Sequence, residues 1–150
     1  IVGRGHMKKK LLKVADELGV RESLFIQSAM SFEDLAQHYR SADLVVFPSY
    51  YEGQGLIPLE ALASGTPVVT VDQAPLTEMI DDTVGGLFDR GDFVGLAKAV
   101  CDELNGHVQR LKKAKAGRKR VLENFTLEGQ AESYEDVFLR SVQKRRWRDS

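Results

Sequence analysis

The chain holds a single cysteine, Cys101, so it can form no internal disulfide and no cysteine-based metal cluster. That scarcity suits a reducing compartment, and because Cys101 falls within a helical pattern it is expected to be buried filler. Neither sign of charge is in excess: 21 Lys and Arg face 22 Asp and Glu, for a net charge of −1. No global field draws the chain to nucleic acid or an anionic membrane, and a charged partner must be met locally. No apolar run approaches the roughly 20 residues of a spanning helix, and no signal-peptide pattern precedes the first helix. His6, His38 and His107 are dispersed, with no partner at metal-ligand spacing, so no zinc site is expected. Repeats and low-complexity linkers are lacking too. With 150 residues of ordinary composition, the expectation is one α/β domain in the cytoplasm.

What is present is alternation. Ile1-Val2-Gly3 reads as the tail of a strand entering a glycine turn, as if the first βα unit were missing, and Gly5-His6-Met7 fits both a strand-to-helix turn and a cloning scar. Leu11, Leu12, Ala15 and Leu18 recur at helical spacing, with Gly19 where a left-handed C-cap belongs. Leu24-Phe25-Ile26 predicts a short strand. Ser31, with Asp34 three residues on, predicts a capped helix carrying Phe32, Leu35, Ala36 and Tyr39. Leu44-Val45-Val46-Phe47, introduced by Asp43 and ended by Pro48, is an apolar run of the kind covered on both faces of a parallel sheet. A helix from about Leu56 to Ser64 follows, then Gly65-Thr66-Pro67 and the β-branched strand Val68-Val69-Thr70-Val71.

Further on, Leu76 to Ile80 predicts a short helix, Gly85-Gly86-Leu87-Phe88 a turn and short strand, and Phe93 to Leu104 an amphipathic helix. Two long helices are expected over about 108–123 and 127–146. Strands separated by helices at this spacing imply a Rossmann-like, doubly wound parallel sheet with helices on both faces.

In such sheets ligands lie beyond the carboxyl ends of the strands, where loops run into helix N-termini. The stretch from Pro48 to Gly55 is the best candidate. Gly53 and Gly55 let backbone amides approach a ligand, and the helix dipole beyond them favours a phosphate. Pro58 is tolerated there because first-turn amides lack intrahelical partners. Glu60 lies among Leu56, Leu59, Leu62 and Ala63, on a segment apolar enough to be largely covered, and a buried carboxylate needs donors. Ribose or sugar hydroxyls would supply them; an Arg or Lys beside a surface helix would do so equally well.

Glu52 and Glu60, set in Pro48-Ser49-Tyr50-Tyr51-Glu52-Gly53-Gln54-Gly55-Leu56 and Leu59-Glu60-Ala61-Leu62-Ala63-Ser64-Gly65-Thr66-Pro67-Val68-Val69, closely resemble the E-x7-E segment of the family 4 retaining glycosyltransferases of GT-B fold. The resemblance extends to Ile1-Val2-Gly3-Arg4-Gly5, Ala42-Asp43, Glu78 before Ile80, Gly85-Gly86-Leu87, and Asp92 with Leu96. It implies that residues 1–150 form the C-terminal, nucleotide-sugar-binding half of such an enzyme, a transferase of hexosyl type. Glu52 would contact the donor sugar as the catalytic residue. The amides of Gly53, Gln54, Gly55, Leu56 and Ile57 would hold sugar and diphosphate, Glu60 the ribose, and Ser28, Ala29 and Met30 the base. Gln54 stands where many relatives carry an aromatic residue, which bears on the sugar accepted.

The resemblance implies no cofactor and no obligatory metal, the nucleoside diphosphate sugar being a substrate; Asp81-Asp82 accordingly reads as a polar turn. The family's basic pair for the diphosphate and its acceptor domain precede the segment matched here. Without those cations the largest catalytic term is lost, so these residues alone are expected to be inactive. An N-terminal acceptor domain or a partner chain is therefore implied. Arg110, Lys112, Lys113, Lys115, Arg118, Lys119 and Arg120 form a basic helix, read as a solvated face, with peripheral membrane contact as the alternative. Trp147 would pack the last helix across the N-terminal domain. Two rival functions are a non-catalytic nucleotide-sugar-binding subunit that needs a partner and, less favoured by the motif context, a sugar-nucleotide epimerase.

Overall fold

A computed structural model describes residues 1–146, so the expected packing of Trp147 lies outside the described residues. The chain divides into two compact units, Ile1–His38 and the part from Tyr39 onward. In the first unit, α1 (Lys8–Glu17) ends as its glycine requires: Gly19 takes φ 68°, its amide donates to Asp16 and that of Val20 to Ala15. This pair of bonds satisfies carbonyls that the last turn would otherwise leave open. A single 3-10 turn, Arg21–Ser23, follows.

The strand expected at Leu24-Phe25-Ile26 is reduced to one parallel bridge between Val2 and Gln27. The Ile1 ammonium donates to the Phe25 carbonyl at 2.7 Å, and the amides of Gln27 and Gly3 donate to Ile1 and Gln27 at 2.9 and 2.8 Å. The 3-10 turn takes the residues up to Ser23, so the extended stretch begins only at Leu24. The helix α2 (Phe32–Ser41) is capped as predicted, the Asp34 amide donating to Ser31 Oγ at 3.0 Å.

The second unit is built on three parallel strands in the order β1 (Val45–Phe47), β2 (Val68–Val71) and β3 (Gly85–Phe88), with α3 (Leu56–Ala63) and α4 (Leu76–Met79) as crossovers. Helices α5 (Phe93–Asn105), α6 (His107–Asn124) and α7 (Leu127–Arg146) follow. Side chains alternate across β2, so Val68 joins Leu59, Leu62, Leu76, Met79, Ile80 and Val121 on one face, while Val69, Val71 and Phe88 pack with Leu96, Ala99 and Val100 of α5 on the other. All four β2 residues are buried. With helices on both faces, the sheet is Rossmann-like and doubly wound, as the alternation of strands and helices predicts.

Three readings are corrected. Strand β1 is not covered on both faces: Val46 is 42% exposed, because α5 packs across β3 and β2 rather than β1. Gly85 and Gly86 belong to β3 itself, the turn being made by Asp81, whose carbonyl accepts from the amides of Val84 and Gly85. A Cβ on Gly85 would lie 2.0 Å from the Val68 carbonyl oxygen, so glycine serves strand approach rather than a turn. Cys101 is exposed, since α5 turns Leu96, Ala99, Val100 and Glu103 inward and leaves the intervening position outside.

The basic helix α6 is not simply a solvated face either. Arg110 pairs with Asp43 at 2.9 Å and donates to the Leu104 carbonyl; Arg118 donates to the Ala63 carbonyl at the C-terminus of α3; Arg120 binds the Met79 carbonyl, Asp81 and Thr83. Lys113 reaches furthest inward, pairing with the buried Glu103 and donating to the Gly85 carbonyl at 2.8 Å. Lys112, Lys115 and Lys119 are exposed. Long aliphatic stems let α6 lie on the apolar face while its cations cap carbonyls at the ends of α3, α4 and α5. Among the described residues no helix is long and apolar enough to cross a membrane.

Two stability outcomes follow from these contacts. Lys113→Met strands a buried carboxylate and is expected to lose about 3 kcal/mol in urea unfolding, whereas the Glu103→Leu, Lys113→Met pair recovers most of it; equal losses in both variants would contradict this. At Asp81, burial acts to raise the carboxyl, but the Thr83 hydroxyl, Arg120 and the Thr83 amide outweigh it and lower the pKa to about 2. The folded value lies below the ordinary one, so its stabilisation is complete above about pH 4 and is lost as pH falls toward 2. Asp81 is half exposed, which keeps the effect under about 1 kcal/mol. Stability measured from pH 5 to 2 should fall less steeply in Asp81→Asn.

Candidate functional site

The carboxyl end of β1 leads into residues 48–55, which reach α3 through Gly55. Gly55 has φ 84° and ψ 62°, a left-handed conformation that L side chains rarely adopt, and a Cβ there would lie 2.8 Å from Leu76 Cδ2 and 3.1 Å from Met79 Cε. Two independent constraints thus reserve the position for glycine. Gly55 is buried against α4, whereas Gly53, Gln54, Leu56 and Ile57 are exposed. The result is a helix N-terminus set in an exposed stretch, its first amides without intrahelical partners and bearing the positive end of the helix dipole.

Pro58 falls in the first turn and is buried, as are Leu59, Ala61 and Leu62, so α3 is fixed along its inner side. Its C-terminus repeats the geometry of α1: Gly65 takes φ 82° while its amide and that of Thr66 donate to Leu62 and Ala61. Glu52 is half-buried at the head of this turn, and among the described residues its carboxylate accepts no hydrogen bond. A groove of about 440 Å³ runs beside the start of α3, lined by Gln54, Leu56, Leu59, Phe125, Tyr134 and Val137.

Glu60 is half-buried, one turn further along α3, and among the described residues no Arg or Lys pairs with it. Instead the Tyr39 hydroxyl donates to Glu60 Oε2 at 2.9 Å. Burial, then this bond and the charge of Glu60, push the Tyr39 phenol well above its ordinary value, so it remains a donor at every physiological pH. Tyr39 is itself anchored: its carbonyl accepts from the buried Thr66 hydroxyl at the far end of α3. Among the described residues no other group bonds to this carboxylate, which leaves one lone pair on Oε2 and the whole of Oε1 open.

Tyr39 entered the sequence pattern only as part of an apolar helix face, and its partnership with Glu60 spans 21 positions, beyond any local signal. Arg90, in the turn after β3, was missed as well. Its guanidinium lies 5.0 Å from the ring centroids of both Tyr50 and Tyr51 and donates to the Tyr51 hydroxyl at 3.0 Å. Gln73, after β2, donates to the Tyr50 carbonyl at 2.8 Å. The loops following all three strands therefore converge around the residues that precede Glu52.

Of the residues singled out in the sequence, Glu52, Gly53, Gln54, Gly55, Leu56, Ile57 and Glu60 are brought together by this one turn. Ser28, Ala29 and Met30 lie in the first unit, in the connection between the Gln27 bridge and the Ser31 cap. Ser28 and Ala29 are exposed, and the Ser28 carbonyl accepts from Arg4 Nε at 3.0 Å.

Residues 1–120 match the family model described as Glycosyl transferases group 1. The D-inositol 3-phosphate glycosyltransferase of Salinispora tropica is 34% identical over 139 residues, which are 92% of this chain and 29% of that enzyme. Sucrose-phosphate synthase from Thermosynechococcus elongatus superposes with a TM-score of 0.81 at 26% identity, covering 95% of this chain and 38% of the synthase. A variant of TarM from S. aureus, solved in complex with UDP among other ligands, gives 0.80 at 25% identity over 92% of this chain and 28% of TarM. The chain thus spans less than a third of that curated relative's length.

Gly55→Ala should lower stability by about 1 to 2 kcal/mol, the scale of placing an L side chain in left-handed backbone. Gly53→Ala, whose Cβ meets nothing within 4 Å, should change it by less than about 0.5 kcal/mol. Thermal unfolding of the two variants side by side checks the contrast, and equal shifts would contradict it.

Proposed function

The chain belongs to the group 1 glycosyltransferases, and on that premise we propose that it is the donor-binding half of a retaining GT-B enzyme of family 4. Such an enzyme moves a hexosyl group from a nucleoside diphosphate sugar to an acceptor held by an N-terminal domain or a partner chain. The observation that carries the reading is the α3 N-terminus: accessible amides beyond a glycine-locked turn, with one carboxylate before them and another a turn and more behind. Nucleoside diphosphate is a ligand of matching chemistry, since an anion suits the helix end and a vicinal diol suits a carboxylate. The UDP bound in the TarM complex supports this choice of ligand class.

In this reading Glu52 contacts the sugar, residues 53–57 hold the diphosphate through their amides, Glu60 binds the ribose, and the connection at Ser28, Ala29 and Met30 lies against the base. Charge accumulates on the diphosphate as the bond to the sugar breaks, and amides already oriented toward it stabilise that charge without reorganising. Tyr39 plays a supporting part, fixing the carboxylate of Glu60 before ribose arrives. No metal is required by this assignment.

The two carboxylates separate in experiment. Glu60→Gln should weaken binding of free nucleoside diphosphate by roughly 1 to 3 kcal/mol, the scale of a charge-assisted hydrogen bond. Tyr39→Phe should weaken it in the same direction and by less. Glu52→Gln should leave it nearly unchanged while impairing sugar transfer by the complete protein, because the leaving product carries no sugar. Calorimetric titration with nucleoside diphosphate, beside transfer assays, reads both quantities. Loss of diphosphate binding in Glu52→Gln with retention in Glu60→Gln would reverse the assignment.

A further inference from the structure

Arg90 belongs to none of the roles just assigned, yet its side chain reaches the Glu52 loop from the turn after the far strand of the sheet. It stands on a firm base. Strand β3 ends two residues before it, Gly91 turns the chain with φ 83°, and Asp92 caps α5 by accepting from the Gly95 amide at 2.8 Å. The turn is closed by the Asp92 amide donating to Asp89 at 3.0 Å.

Of the two rings Arg90 holds, Tyr50 packs against Val69, Val71 and Phe88, but Tyr51 is not core. Tyr51 is 83% exposed, so the stack on it buries little and contributes little to folding. A planar guanidinium spanning two aromatic rings and donating to one of their hydroxyls instead fixes the orientation of two successive residues. Those residues are the two that immediately precede Glu52. Gln73 restrains the same dipeptide through the Tyr50 carbonyl, and Ser49 Oγ donates to the Tyr51 carbonyl at 3.4 Å.

We propose that Arg90 is a positioning residue for the reaction: through Tyr50 and Tyr51 it sets where the Glu52 carboxylate stands relative to the first amides of α3. It touches no substrate itself. The proposal rests on the reading of Glu52 as the residue that contacts the sugar. It also assigns a purpose to Tyr51, whose ring is otherwise exposed surface beside the core-packed Tyr50.

The test uses the complete protein with a nucleoside diphosphate sugar and its acceptor, and compares Arg90→Ala, Arg90→Lys, Tyr51→Phe, Glu52→Gln and the Arg90→Ala, Glu52→Gln pair. Arg90→Ala should lower kcat by about tenfold to a hundredfold, the cost of a misplacement of about 1 Å, while the affinity for free nucleoside diphosphate stays within about twofold. Arg90→Lys keeps the charge without the planar stack and should recover kcat only in part; Tyr51→Phe, which removes only the accepting hydroxyl, should give a smaller loss in the same direction. The double variant should be no slower than Glu52→Gln alone, because Arg90 acts through that carboxylate.

Additive losses in the double variant, or a fall in diphosphate affinity matching the fall in kcat, would overturn the proposal in favour of a general structural role. So would full kcat in Arg90→Ala alongside a strongly impaired Glu52→Gln. If Glu52→Gln itself transfers sugar at the original rate, the reading of Glu52 fails, and the positioning role falls with it for that separate and recognisable reason.

Discussion

Everything in the second unit turns on the immobility of α3. Its buried side is pinned to the sheet by Leu59 and Leu62, its start is pressed against Leu76 and Met79 at Gly55, and its last carbonyls are taken by Gly65, Thr66 and Arg118. Gly117 of α6 completes the clamp, since a Cβ there would come within 2.6 Å of Leu62 Cδ2. A helix of only eight residues is marginal by itself, so its position is imposed by these contacts rather than by propensity. That matters because the amides and both carboxylates of the candidate site are referenced to this one helix.

Much of this was legible in the sequence because the signals are local. Gly19 and Gly65 mark C-caps since both carry positive φ, Ser31 marks a cap three residues ahead of the amide it accepts from, and β2 announces itself through four consecutive buried residues. The turn at Gly53 and Gly55, and the helix after it, followed from the same short-range chemistry. The Rossmann-like sheet emerged from these elements in order.

What was not legible depends on partners distant in sequence. Arg110, Lys113, Arg118 and Arg120 look like a solvated stripe until the carbonyls and carboxylates 6 to 67 positions away are seen to meet them. Cys101 was misplaced because α5 carries apolar or small residues on more than one side, so composition did not say which face turns inward. Gly85 and Gly86 resemble a turn, and only the closeness of the Val68 carbonyl at the first and of the Val69 and Glu103 side chains at the second explains them as strand residues. The partners of Glu60 and of Tyr51, on α2 and in the turn after β3, are likewise products of the fold.

The support of Glu60 by an uncharged hydroxyl has a consequence for how the site responds to its medium. Mobile ions screen attraction between exposed charges over about 10 Å at 0.1 M salt, but a phenol-to-carboxylate bond at 2.9 Å between half-buried groups is nearly indifferent to them. Had Arg or Lys held Glu60, ionic strength would loosen the carboxylate as well as any anion at the helix end. As built, the electrostatic part of the pocket weakens in brine while the geometry around Glu60 persists. Two neighbouring stretches of one helix are thereby given unequal sensitivity to the same solvent.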